Sequence, residues 1–294
     1  MSLPLRRVLD ACLPLMGGTF PRDLMLIDCE YTDGGAEKGL LVEFAHAIVH
    51  DGQIIDHNSI LLDWRNHPIV SDEYMQATLI RCSRKWETFN FDWGLLCREG
   101  VPATQALEYI SALLKAWQKR DLFWVAHNAY HAEAAMIEGN LQGFEISDFE
   151  FGENRLLDSG AIFKAAASLV IGKRHDMLPA PGDTLKSYCL RVTQSMQKGV
   201  LWNLKYACGQ LGLLDDPTLD WSQHHRAGFD VGLLHRLANR YRDIAVEGGG
   251  TVAAPAKTDP TASPAAFAQM FEDELGPATE TSLGELPYRR QRAV

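Results

Sequence analysis

Asp28 and Glu30 stand two residues apart in Leu26-Ile27-Asp28-Cys29-Glu30-Tyr31-Thr32, at the end of the apolar run DLMLIDCEY. That run reads as a buried strand, and on a strand residues i and i+2 leave the same face. Two neighbouring carboxylates repel, and burial raises the cost of keeping both charged. A divalent cation removes the conflict, and hard oxygen ligands suit magnesium or manganese. A pair of solvated acids at a strand end is the other reading of the same residues. Asp230 opens a second pattern, with Leu233 and Leu234 at +3 and +4 on the buried side of a helix. It therefore sits at the edge of the core, near its helix start. His225, five residues earlier, lies in the loop entering that helix and can face the same site. A capping aspartate beside a solvent-exposed histidine is the alternative. A third segment, Ala126-His127-Asn128-Ala129-Tyr130-His131-Ala132-Glu133, runs across a strand-to-helix passage.

The elements that must position these residues follow from periodicity. LLVEFAHAIVHDGQIIDHNSILLDW holds Asp51-Gly52 between two apolar stretches, which predicts a tight hairpin. Pro102 precedes QALEYISALLKAWQKR, whose Ala106, Ile110, Leu113, Leu114 and Trp117 keep a helical period. DLFWVAHN reads as a strand, HAEAAMIEGNL as a helix, and NRLLDSGAIFKAAASLV as a strand turning into a helix. LWNLKYACGQLGLL and HRAGFDVGLLHRLANRYRDIAV read as helices. Near the start, Leu5, Val8, Leu9 and Cys12 recur at helical spacing, predicting a short helix over part of residues 1–22 that packs on the domain. The sum is an α/β chain with a mixed sheet flanked by helices, one domain over 23–246.

Composition sets limits. The chain has 294 residues, 46% of them hydrophobic, and a formal net charge of -10. It is not a basic nucleic-acid coat, so affinity for a polyanion needs a local cationic surface or bound metal ions. Six scattered cysteines without a CxxC pair argue against a disulfide framework or structural zinc, and point to reduced thiols in a cytoplasmic protein. No apolar run approaches the ~20 residues that cross a bilayer. From Glu247 onward the composition turns to Gly, Ala, Pro and Thr. Residues 247–294 read as a flexible linker and tail. Within 264–276, Phe267, Met270, Phe271 and Leu275 form one apolar stripe, open to reading as a docking helix for a protein partner or as chance periodicity.

Taken together, the three acid-bearing segments resemble the DEDDh 3′→5′ exonucleases, the DnaQ-like family of proofreading subunits and oligoribonucleases. Its pattern is an apolar strand ending D-x-E, then H-N before an Asp that opens a helix, then H-x-A-x-x-D opening a later helix. The resemblance runs from Asp23 to about Ala245 and includes the hairpin, the G-V-P-A helix entry and the Leu157-Asp158-Ser159 strand end. It implies an RNase H-like fold. In the second motif the family's Asp falls on Ala132. Glu133 is one residue later, and Met136 and Ile137 lie three and four beyond it. This phase places Glu133 in the acid's role; the competing reading is a site that lacks one carboxylate and has weak or no activity.

The resemblance implies two magnesium or manganese ions roughly 3.5–4 Å apart. Asp28, Glu30 and Asp230 would hold the first, Glu133 would help fix the second, and His225 would be the general base. The substrate would be the 3′ end of single-stranded DNA or RNA, with Thr32 and Asn128 positioning the terminal nucleotide. His127 and His131 read as structural. Lysines and arginines collect between Lys164 and Lys205, among them Lys173 and Arg174, in a turn-rich insertion read as a steering surface for phosphates or as ordinary surface charge. Dimers are common in the family. Two rivals remain: a non-catalytic nucleic-acid or protein-binding module on the same fold, and a glycosidase using paired carboxylates without metal.

Overall fold

The computed structural model describes residues 3–32, 39–171, 177–195 and 200–247. Six strands form one mixed sheet: β1 (Asp23–Tyr31), β2 (Leu41–His50), β3 (Gln53–Asp63), β4 (Val101–Pro102), β5 (Phe123–Ala126) and β6 (Leu156–Asp158), in the order β4-β3-β2-β1-β5-β6. β2 runs antiparallel to both neighbours, while β5 and β6 lie parallel to β1. The C-terminal ends of β1, β5 and β6 therefore share one edge of the molecule, and every acid-bearing segment leads to that edge.

The β2–β3 hairpin turns at Asp51 and Gly52, with φ of 50° and 82°. Two positive φ angles give the turn the twist that matches its strands, and Gly52 takes its angle without a steric penalty. The Gly52 carbonyl accepts from Asn239 Nδ2 at 2.9 Å, so the hairpin tip is tied to the last helix.

Alternation along β1 divides the core. Met25, Ile27 and Cys29 pack on one face with α4 (Ala103–Lys119) and α5 (Glu133–Gly143). Leu24 and Leu26 face the other side, against α1 (Leu5–Cys12), α6 (Ser159–Val170), α7 (Leu185–Gln194) and α9 (Ala227–Glu247). The stripe of α1 is wholly buried at Leu5, Val8, Leu9 and Cys12. By the same alternation Asp28 and Glu30 look toward α9.

Three helices were not legible as such. α2 (Asp72–Lys85) is capped by the Ser71 side chain accepting from Tyr74 N, with acids in its first turn and bases in its last. α3 (Trp93–Glu99) is capped by Asp92. α7 occupies part of the segment expected to be a turn-rich insertion, and a reciprocal Thr184–Ser187 capping box starts it. The helix read from LWNLKYACGQLGLL is shorter than expected: α8 (Leu204–Gln210) begins after Asn203, whose side chain caps it. The stretch 264–276 lies outside the described residues.

Candidate metal centre

Glu30 is the residue around which the site is built. β1 presents it toward α9, where Asp230 stands in the first turn. Ligand atoms of Glu30, His225 and Asp230 all lie within 4.8 Å of one another. His225 sits in the loop before α9 with φ +67°, a left-handed conformation uncommon for a side chain with a Cβ. That turn of the chain lets its main-chain N–H donate to the Asp230 carboxylate. The ring of His224 packs edge-on against that of His225, with centroids 3.9 Å apart.

Asp28 and Glu133 complete the acidic set. α5 starts at Glu133 and not at Ala132, and Glu133 is only 5% exposed. Met136 and Ile137 are buried behind it, as the phase of the helix requires. Burial first, then the charges of Asp230, Glu133, Glu30 and Glu43, hold the Asp28 carboxyl well above the usual carboxylate range. Burial and the charges of Asp158 and Asp230 do the same to Glu133. Burial, with Asp230, Glu43 and Glu133, pushes Glu30 up to about 9, and burial with Glu43 pushes Asp230 to about 7. Among the described residues none of these four carboxylates is in ion-pair contact with a lysine or arginine. Oε2 of Glu133 and Oδ1 of Asp230 are buried with no hydrogen-bond partner. Orphaned carboxylate oxygens in such a cluster are what a hard divalent cation satisfies. The donor set of oxygens with one imidazole fits magnesium or manganese.

Two acids of the region have other tasks. Glu43, paired with Glu30 across β2, is 2% exposed and was not singled out from sequence. Its carboxylate accepts from Arg226 Nε at 2.9 Å and Nη2 at 3.0 Å, from the Ala227 N–H at 2.9 Å and from Ser59 Oγ at 2.7 Å. It pins the start of α9, and with it His225 and Asp230, to the sheet. A lone Glu in the run LLVEFAHAIV is the signal that could have found it: a charge in a buried strand needs a partner. Asp158 ends β6, and its Oδ1 accepts from the N–H groups of Asn128, Gly160 and Ala161. Burial pushes it up to about 6 against those bonds.

The remaining expected residues are placed as follows. Thr32 is fully buried, and its hydroxyl accepts from the Leu40 N–H at 2.9 Å. That commitment closes the end of β1 and leaves it no surface for a nucleotide. Asn128 takes φ +64° and, with His127 and residues 200–203, lines a cleft of about 300 Å³. His127 lies between Ser159 Oγ and the Trp202 carbonyl, and burial pushes it down to about 4, so it is neutral. His131 Nε2 lies 3.0 Å from Thr193 Oγ1. Lys173 and Arg174 lie outside the described residues. The steering surface does not include Lys164, which is buried and donates to the Thr193 carbonyl. Arg191 is likewise held by Asp183.

No family model matches the chain, and no curated protein matches it. A structure of the yeast NOT1 MIF4G domain co-crystallized with CAF1 aligns with it at 9% identity, covering 84% of this chain and 88% of that chain, with a TM-score of 0.45. That level of likeness assigns neither fold nor activity. The resemblance to the DEDDh exonucleases is therefore withdrawn: three short motifs suggested it, and no family model matches over the span they cover. The physical reason lies in what the motifs are. Acids at strand ends and helix starts are what metal chemistry asks of any scaffold, and the second motif is already out of register at Ala132.

Proposed function

We propose that this protein is a metal-dependent phosphodiesterase that acts as a 3′→5′ exonuclease on single-stranded DNA or RNA. The observation that carries it is the gathering of Asp28, Glu30, Glu133 and Asp230, three of them buried and none in ion-pair contact with a lysine or arginine among the described residues, beside a partly exposed histidine. A glycosidase pair needs no such crowding of four acids. The strand order, with β2 antiparallel among parallel neighbours, supports an RNase H-like arrangement of the sheet. Six free cysteines support a reducing compartment, and the cytoplasm is the proposed one. No helix among the described residues is long and apolar enough to cross a membrane.

In this reading Asp28, Glu30 and Asp230 would hold one ion and Glu133 would help hold a second. When bound, magnesium or manganese supplies the positive charge that the phosphate and the developing oxyanion require. An imidazole nitrogen of His225 accepts the proton of the attacking water. Burial and the charge of Lys205 lower its pKa from the ordinary 6.5, so it is unprotonated and ready to accept at neutral pH. Glu43 and Arg226 fix the loop that carries it.

The test uses 5′-labelled single-stranded DNA and RNA with magnesium, manganese or chelator, beside Asp28→Asn and Glu133→Gln. A metal-dependent ladder shortening from the 3′ end, lost in both variants, is expected. A ladder kept in Glu133→Gln removes that residue from the set. Binding without cleavage under any metal replaces the enzyme with a binding module.

A further inference from the structure

The loop that enters α9 carries a file of rings leading away from the carboxylates. His225 meets His224, whose centroid is 6.0 Å from that of Trp221, and Trp221 meets Phe229 edge-on at 5.5 Å. Trp221 keeps 36% of its surface exposed. From α8, Lys205 sets its Nζ 4.7 Å from the centre of the Trp221 ring. Lys205 is exposed, and among the described residues it has no carboxylate partner. Its charge is felt by His224, His225 and Asp230, so it stands at the lip of the acidic site.

Two separate elements thus bring an accessible indole and an uncommitted ammonium to the same side of the candidate metal centre. Neither placement serves the core. An exposed ammonium on an aromatic face is a weak contact, further weakened by salt, and it is readily exchanged. A chain of net charge -10 that handles a polyanion needs a cation near the acids, and Lys205 is one. An indole face stacks any base, because every base has a π-face.

We infer that Trp221 and Lys205 form the subsite for the nucleotide next to the bond that is cut, the indole stacking its base and the ammonium pairing with its phosphate. The inference rests on the nucleic-acid reading above. The stacking partner is indifferent to the sugar, so this subsite accepts DNA and RNA alike and orders bases only by how well they stack.

The experiment measures fluorescence anisotropy of dye-labelled single-stranded oligonucleotides with a non-cleavable terminal linkage, in magnesium. One oligonucleotide is intact and one lacks the penultimate base. Wild type is expected to bind the intact strand more tightly. Trp221→Ala is expected to weaken the intact strand about tenfold, within the range of one lost base stack, and to leave the abasic strand unchanged. Trp221→Phe restores most of the loss. Lys205→Ala lowers the slope of log affinity against log salt by about one phosphate contact. Equal effects of Trp221→Ala on both strands, or none on either, overturn the subsite while wild-type binding keeps the nucleic-acid reading alive. Failure of wild type to bind either strand overturns both. Lys205→Ala and Trp221→Phe are surface changes that test the idea even if Trp221→Ala does not fold.

Discussion

Glu30 is held where burial and then the charge of Asp230 raise its proton affinity, and this has a measurable cost in the metal-free protein. Replacing one charge by an isosteric amide relieves the repulsion. Asp230→Asn should stabilise the metal-free protein by about 1 kcal/mol, roughly 2–4 °C in melting temperature for a domain of this size. The wild type is expected to gain melting temperature in magnesium, and the same variant should lose that gain. Calorimetry with and without magnesium checks both; a destabilised variant that still responds to magnesium would contradict the assignment. In the proposed reaction the neutral ring of His225 is the acceptor, so the rate should rise with pH through its titration. The groups facing it are Lys205, His224, Glu30 and Asp230. Burial and, after it, Lys205 lower its pKa, so the acid limb should lie below about 6.5 and move upward in Lys205→Ala. His225→Ala should abolish the limb and cost a factor of about 10²–10⁴ in rate, read from pH–rate profiles.

Among the elements, the joint between β2 and α9 decides whether the site exists. Glu43 receives four donors, and removing its charge leaves Arg226 beside a buried strand without its partner. Glu43→Ala should cost about 3–5 kcal/mol, the range for breaking a buried pair, measured by denaturant unfolding. A double change with Arg226→Leu should recover part of it, and additive losses would show that the pair is not coupled. This joint also marks where the sequence stops being legible. Asp28 and Glu30 could be read because i and i+2 on a strand need no knowledge of the fold, and the Asp51-Gly52 turn because its dihedral demand is local. Glu43 finds its partner 183 residues away, and no local pattern carries that distance. Ser71 and Thr184 carry ordinary helix-start chemistry, but the turn-rich GKRHDMLPAPGDT that ends at Thr184 hides the start of α7. The phase of α5 placed Glu133 correctly at a helix start, yet phase says nothing about which family built the helix.

For the whole molecule, the crowded carboxylates make stability depend on pH in a direction opposite to that of most proteins. Asp158, Asp230 and Glu30 have folded pKa values of about 6, 7 and 9, all raised above their ordinary values near 4. Raised values mean that the folded protein holds protons the unfolded chain has released. Their stabilising contribution is full below about pH 4 and is lost as pH rises through the folded values. The metal-free protein should therefore melt at falling temperature from pH 5 to pH 9 in chelator. Magnesium should flatten the curve, with its largest effect at the alkaline end. A melting temperature that rises with pH in chelator would mean that the acids are solvated.

The acids of β1 and the acid of α9 belong to opposite ends of the described chain, and Glu43 and Gly52 both fasten α9 to the same hairpin. During synthesis the strands and most of the helices are made long before Asp230 leaves the ribosome. Until then the β1 carboxylates lack Asp230 and His225 beside them. The candidate site is therefore assembled only when α9 docks on the hairpin, as the last step in building the described fold.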